Sequence, residues 1–343
     1  MIPEYVIDQI LSKDIVSIIG GEGVSLKRAG VNYECCCPFH KEKTPSFKVS
    51  PVKGIFTCFG CSAKGNAISF VMMLYNMTFP EAVEYLAKKL NIEYKAEELT
   101  PEQKEARFRR SRIFEINQIA LEYFRESYKQ SLPAQKYATK ERGFKEETID
   151  NMLIGFAPYK GGFREYATQK GYKEQLLIDA DLVRRSERDG SLYDTFRGRL
   201  MFTIRDRTGN IVGFSGRLMD KENPKKLPKY INTGDTAVYK KGEHLFAYFE
   251  SARQAAAVRT MNLVEGNPDA IRMHQIGVDN TVAPLGTALT PKQIELIKKV
   301  ADTVIIIGDM DDAGQKAVVK NAETMLRAGL AVRVMEIKDN YKD

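Results

Sequence analysis

The chain has 343 residues, 43% hydrophobic and 28% charged, with a net charge of +7. That composition is ordinary for a globular protein and the length suits two or three domains. No apolar run approaches the roughly 18 residues of a membrane span, and Met1-Ile2-Pro3-Glu4 lacks a basic signal-peptide start, so a cytoplasmic protein without a membrane partner is expected.

Charge is unevenly spread: residues 1–100 balance, residues 101–230 carry 27 basic against 19 acidic side chains, and residues 231–343 are nearly neutral. A basic middle segment is the footprint of a polyanionic partner, although a solvated surface accounts for modest basicity as well.

Residues 2–20 read as a helix and connector, with Ile7, Ile10, Leu11, Ile15 and Ile18 near helical spacing. All five cysteines follow: Cys35, Cys36 and Cys37 lead into Pro38-Phe39-His40, and Cys58-Phe59-Gly60-Cys61 closes the segment. Cys37-x-x-His40 and Cys58-x-x-Cys61 supply one imidazole and three thiolates, a closed tetrahedral set for one structural Zn²⁺. An odd cysteine count argues against a disulfide framework, and buried or redox thiols are the competing account. Between the pairs, Pro45 to Val49 and Gly54 to Thr57 look like two strands of a zinc ribbon. Phe39, Phe47, Phe56 and Phe59 could stack on bases beside Lys41, Lys43, Lys48 and Lys64, but most fit better as ribbon core. Helical patterns cover Ala67 to Tyr75 and Phe79 to Leu90. The order Cys-Pro-Phe-His-x-Glu-Lys-Thr-Pro-Ser-Phe, then Cys-Phe-Gly-Cys, then Gly65-Asn66, resembles the CHC-type zinc-binding domain that opens DnaG-type primases.

Residues 95–112 are charged and polar, and read as a tether or short helix. A helix pattern follows over Ile113 to Ser127. Glu141-Arg142-Gly143-Phe144 and Ile154-Gly155-Phe156-Ala157-Pro158 resemble primase-core motifs. Tyr193 to Asp206 and Ile211 to Arg217 flank the turn signal Gly209-Asn210, predicting a hairpin with Arg197, Arg199 and Arg217 around it. Arginine forks suit phosphates, whereas surface arginines on a solvated hairpin are the plainer account of any one of them. Pro228-Lys229-Tyr230-Ile231-Asn232 and Tyr239-Lys240-Lys241-Gly242 also resemble primase motifs. The resemblance implies that Arg142, Arg197, Arg199, Arg217, Lys229, Tyr230, Asn232 and Lys241 hold template or nucleotide. His244 and His274 read as structural residues.

From Met261 onward, strand and helix patterns alternate: a strand to Val264, strands at Thr281 to Leu285, Val304 to Ile307 and Ala331 to Ile337, and helices over Pro291 to Val300 and Gln315 to Arg327. Such alternation predicts a parallel sheet whose strand ends form the binding crevice. Two strands end in acid, one at Glu265-Gly266-Asn267-Pro268-Asp269 and one at Gly308-Asp309-Met310-Asp311-Asp312. Glu265, Asp309 and Asp311 should therefore converge, a repulsive arrangement that hard Mg²⁺ or Mn²⁺ relieves. The plainer account is that Asp311 or Asp312 caps a helix and Glu265 is solvated. Together the turns resemble the TOPRIM sheet of DnaG-type primases, topoisomerases and some nucleases.

The expected architecture is thus α+β and α/β multidomain: a zinc domain (1–96), a linker (97–112), a basic mixed core (113–245) and a mostly parallel TOPRIM sheet (246–343). The resemblance implies synthesis of short RNA primers from ribonucleoside triphosphates on single-stranded DNA, with two catalytic metal ions held by Glu265, Asp309 and Asp311. Asp269, Asp339 and Asp343 are further candidate ligands. Asn267-Pro268 departs from the family's first turn, and the chain ends where the family has a third acidic motif and a helicase-binding region, so a replicative helicase is a less secure partner and a truncated or short family member is expected. A DNA-cleaving TOPRIM enzyme and a non-catalytic zinc-ribbon DNA-binding module are the rival readings. No Walker-type glycine loop is present.

Overall fold

The computed structural model describes residues 2–335 except 62, 76, 95–99, 221–226, 287–288 and 309–311, and of residues 312 and 313 only the backbone. Two compact units divide the chain, residues 1–104 and 105–343.

The first unit opens with two helices, Glu4–Leu11 and Ile15–Gly21, where the sequence pattern suggested one helix and a connector. Asp14 causes the break, because its carboxylate accepts the N–H groups of Val16 at 3.1 Å and Ser17 at 3.0 Å and so starts a new helix. Five strands follow, β1 (Lys27–Ala29), β2 (Asn32–Cys35), β3 (Phe47–Ser50), β4 (Ile55–Cys58) and β5 (Lys64–Gly65), paired antiparallel in chain order. Helices Ala67–Tyr75 and Phe79–Lys89 complete the unit, as their periodicity predicts. Phe47, Phe56 and Phe70 are fully buried, and the Phe47 and Phe56 rings stack 5.1 Å apart.

Residues 101–112, read as a tether or short helix, are the first turns of the helix Pro101–Lys129. Thr100 and Gln103 exchange cap hydrogen bonds at its start, and Glu, Gln, Lys, Ala and Arg all favour helix even where none is buried. Its later turns bury Ile113, Ile116, Ala120 and Phe124 at helical spacing. The mixed core that follows contains β6 (Gly155–Ala157), a small hairpin of β7 (Val183–Arg185) and β8 (Leu192–Asp194), then β9 (Arg199–Arg205), β10 (Ile211–Leu218) and β11 (Tyr230–Asn232). Strands β11, β10, β9 and β6 form one antiparallel sheet in that order.

The third sheet has the order β12 (Leu245–Phe246), β14 (Thr281–Pro284), β13 (Thr260–Val264), β15 (Thr303–Ile307), β16 (Ala331–Met335). All pairs are parallel except the edge pair of β12 with β14. The mostly parallel sheet expected from the alternation is therefore present. The lone antiparallel edge, β12, straddles the boundary expected between residues 245 and 246, so Leu245, grouped with the basic core, belongs to this sheet. Helix Asp312–Arg327 begins at the second acidic turn, and helix Asn267–Gln275 begins at the first.

Candidate active site and metal centre

In the first unit, ligand atoms of Cys37, His40, Cys58 and Cys61 lie within 4.8 Å of one another. The Cys37 and Cys61 sulfurs are 3.8 Å apart. A tetrahedron with Zn–S bonds near 2.3 Å has edges of about 3.8 Å, so the residues present fit zinc. Cys37 completes the set: Cys36 is exposed and Cys35 lies buried in β2. Burial pushes the Cys37 thiol up to about 12, and a bound cation would be needed to hold it as thiolate at neutral pH. His40 Nε2 sits 3.1 Å from a Glu42 carboxylate oxygen, leaving Nδ1, 3.9 Å from Cys58 Sγ, to face the metal position. Glu42 also accepts from the Cys37 N–H at 2.6 Å and the Ser46 N–H at 3.1 Å. This supporting carboxylate was missed in the sequence, where its only signal is the His40-x-Glu42 spacing. Phe39, Phe47 and Phe56 pack together as core, and Phe59, 72% exposed, alone stays available to a base.

In the second unit the strand register decides the acidic edge. Val264 of β13 lies opposite Ile307 of β15, which sets Glu265 beside Gly308. A methyl group on Gly308 would stand 3.3 Å from Glu265 Oε1 and would collide with Val318. The two acidic turns thus leave the sheet at the same edge, as the crevice rule requires. Asp309, Asp311, Asp339 and Asp343 lie outside the described residues. Asp269 is exposed and its carboxylate accepts the Gly266 N–H at 3.0 Å, bracing the turn and the start of helix Asn267–Gln275. Among the described residues, Glu265 and Asp269 are the carboxylates of the first acidic turn, and Glu265 lines the cleft at this edge.

A cleft of about 680 Å³ opens here, and Tyr230, Asn232 and Lys241 line it together with Glu265 and Gly308. Asn232 donates to the Leu285 carbonyl at 2.9 Å, tying β11 to the end of β14. Lys241 reaches across Gly286, where an added Cβ would lie 3.5 Å from its Nζ. Ser215 and Asn267, unmarked in the sequence, also line the cleft.

The predicted arginines divide. Arg217, 9% exposed, donates Nε to the Tyr137 hydroxyl at 2.9 Å and Nη1 to the Tyr230 hydroxyl, so it stands behind a cleft residue. Arg142 donates to the same Tyr137 hydroxyl at 3.2 Å. Arg199 is 3% exposed, and its fork is consumed by main-chain carbonyls: Gly216 at 3.0 Å, Lys229 at 3.3 Å and Pro228 at 2.9 Å. It braces the chain at Pro228 and Lys229 through main-chain carbonyls, and it does not line the cleft. Arg197 is exposed with its guanidinium 5.1 Å from the Tyr193 ring, and Lys229 is exposed; neither lines the cleft. His244 contacts the Lys240 carbonyl at 3.1 Å. His274 contacts Ser251 Oγ at 3.1 Å and Asp279 at 3.6 Å, but Ser251 is fully buried and donates to the Thr281 carbonyl, so the trio is structural.

Three family models match in chain order: CHC2 zinc finger over residues 2–102, DNA primase catalytic core N-terminal domain over 123–252, and Toprim-like over 262–343. The crystal structure of the zinc-binding and RNA polymerase domains of the Aquifex aeolicus primase is 33% identical, with a TM-score of 0.63, over 98% of this chain and 80% of that one. The chain belongs to the DnaG-type primase family. Among curated relatives of this DnaG-type chain, the DNA primase of Clostridium acetobutylicum is 38% identical over 99% of the chain but only 56% of its own length. The chain therefore spans little more than half of that relative. A DnaG primase catalytic domain solved bound to single-stranded DNA is 30% identical with a TM-score of 0.59, over 68% of this chain and 74% of that one. Among the described residues no helix is long and apolar enough to cross a membrane.

Proposed function

We propose that this chain synthesises short RNA primers on single-stranded DNA in the cytoplasm, joining ribonucleoside triphosphates by attack of a 3′-hydroxyl on the α-phosphate. One observation carries the reading: Glu265 at the end of β13 shares a cleft with Tyr230, Asn232 and Lys241 from the basic core. Membership of the DnaG-type family supports it, as does a relative solved with single-stranded DNA. Glu265, Asp309 and Asp311 are the residues that would hold Mg²⁺ or Mn²⁺; when bound, the cation supplies Lewis-acid polarisation and charge neutralisation for phosphoryl transfer. Lys241 contributes a point charge to the incoming phosphates, and Tyr230, held by Arg217, walls the nucleotide side of the cleft. Asn232 keeps the two halves of the cleft in register. Exposed Arg197 and Lys229 contribute to retention of the DNA backbone. The zinc site has four protein ligands and no open position, so its role is structural.

The test is incorporation of labelled ribonucleotides on single-stranded DNA by the parent chain and by Glu265→Gln, Asp309→Asn and Asp311→Asn. Each amide keeps the shape and removes one negative charge, so activity falls by orders of magnitude while metal-free melting stays equal or rises. Full activity in a variant removes that carboxylate from the metal site, and no product from the parent overturns the reading.

A further inference from the structure

Two arginines of the core share a single phenol. Tyr137 is 5% exposed, and its hydroxyl accepts from Arg217 Nε at 2.9 Å and from Arg142 Nη2 at 3.2 Å. The Arg142 guanidinium also lies over the Tyr137 ring at 5.3 Å, as the Arg217 guanidinium lies over Tyr230 at 5.1 Å. Local backbone makes the first pairing. Residues Tyr137–Glu141 form a π-helical turn, closed by the Arg142 N–H on the Tyr137 carbonyl at 3.0 Å. In an α-helix a residue five positions on points about 140° away, so Tyr137 and Arg142 could not meet. Single π-turns of this kind are frequent at functional sites.

Arg142 is fixed from a second direction. Arg272 donates to its carbonyl at 3.0 Å, and Gln275 donates to the Gly143 carbonyl at 3.0 Å while accepting from the Lys145 N–H at 2.7 Å. Arg272 and Gln275 belong to helix Asn267–Gln275, which starts two residues after Glu265. The arginine pair is thereby stapled to the element that carries the acidic turn.

Among the described residues neither guanidinium is paired directly to a carboxylate, although the Asp269 carboxylate is near enough to act on Tyr230. The side-chain acceptors of both guanidiniums among the described residues are phenol oxygens, with no carboxylate, and Arg142 Nε is buried without an acceptor. Two like charges held by one neutral oxygen repel, and a phosphate accepting from both would relieve that repulsion. The second phenol, Tyr230, lines the cleft beside Glu265.

We propose that Tyr137 is a positioning residue, whose hydroxyl clips Arg142 and Arg217 into one preorganised seat for a phosphate group of the reaction. The idea rests on the proposed primase activity for its ligand, which is the triphosphate of the incoming ribonucleotide or a phosphodiester of the template. Tyr137→Phe removes the oxygen and keeps the ring. Steady-state primer synthesis on the whole chain, with single-stranded DNA affinity and melting temperature measured alongside, reads the outcome. A rise of about tenfold in KM for ribonucleotide, with kcat and melting nearly unchanged, supports the seat and assigns it to the triphosphate. The same loss in DNA affinity, with KM unchanged, supports the seat and assigns it to the template. A fall in melting temperature or kcat with both affinities intact overturns the proposal. Should the parent make no primers, the primase reading fails by itself. Binding of inorganic tripolyphosphate to parent and Tyr137→Phe then tests the seat: equal affinity, or no binding by the parent, overturns it, and weaker binding by the variant upholds it. Arg217→Lys, which keeps the charge and loses the fork, should mimic Tyr137→Phe in whichever affinity responds.

Discussion

Arg197 and Arg199 stand two residues apart in one Arg-Gly-Arg motif, and the structure forecasts opposite results for their removal. Arg199→Ala deletes a guanidinium that donates three hydrogen bonds, to Gly216, Lys229 and Pro228, and that is 3% exposed. Its stem passes so close over β10 that a Cβ on Gly216 would lie 2.9 Å from Arg199 Cδ. Hydrogen bonds to a charged donor are each worth about 1.5–3 kcal/mol when one partner is lost. The Lys229 carbonyl keeps the Leu218 N–H at 2.9 Å and Pro228 is an exposed residue, whereas the Gly216 carbonyl lies in a buried strand. The net cost is about 3–4 kcal/mol, or a fall of roughly 10 °C in melting of a unit of this size. Arg197→Ala loses only an exposed contact with Tyr193, so its melting should stay within about 1 kcal/mol of the parent. Calorimetry of both variants, with primer synthesis alongside, is the assay. A parent-like melt for Arg199→Ala with strong loss of activity would refute the reasoning and return Arg199 to the ligand.

In the first unit, Cys58→Ser should lower bound zinc from one ion per chain and abolish that unit's melting transition while the 105–343 transition persists; unchanged zinc content by metal analysis would sink the four-ligand assignment. Asp194 accepts the N–H groups of Gly162, Phe163 and Arg164 at 2.7, 2.9 and 3.0 Å, capping helix Phe163–Gln169, so Asp194→Ala should cost about 2–4 kcal/mol by denaturant melting, and a cost under about 0.5 would contradict the cap. Burial by itself would raise the Glu22 carboxyl, but hydrogen bonds from Lys89, Tyr75 and Tyr85 outweigh it and hold the group below its ordinary value. A depressed folded value means stability that is present above the unfolded pKa, near 4.5, and lost as pH falls through the folded one. Parent and Glu22→Gln should therefore differ in melting at pH 7 and converge as pH falls below 4.5 through the depressed folded value, and a gap that widened with acid would reverse the sign.

What was legible in the chain and what was not divides along one physical line. The acidic edge could be read because a β-branched run ending in acid is a local pattern, and parallel pairing of adjacent strands then brings two such ends together without further information. The zinc ligands could be read because their spacing is the geometry. Helix Pro101–Lys129 was obscured at its start because its first turns bury nothing, so intrinsic propensity and the Thr100 cap speak there without an apolar stripe. The strands β1, β2 and β5 are too short for an alternating pattern to show, although β1 and β2 pair with each other directly across Gly30 and Val31. The arginines expose the limit most sharply. Residue type and motif put Arg142, Arg197, Arg199 and Arg217 in one class, yet one is spent on main-chain carbonyls, one is solvated, and two are clipped to a phenol five and eighty residues from them in sequence. An arginine fork is satisfied equally by three backbone carbonyls or by a phosphate, so sequence cannot separate the uses; the separation comes from whether folding leaves those carbonyls within reach. At Arg199 the Pro228 carbonyl lies within reach, as does the Lys229 carbonyl that also accepts from the Leu218 N–H at 2.9 Å, and the fold takes the fork. At Arg142 and Arg217 the side-chain acceptors are neutral phenols, the arrangement on which the proposed phosphate seat rests.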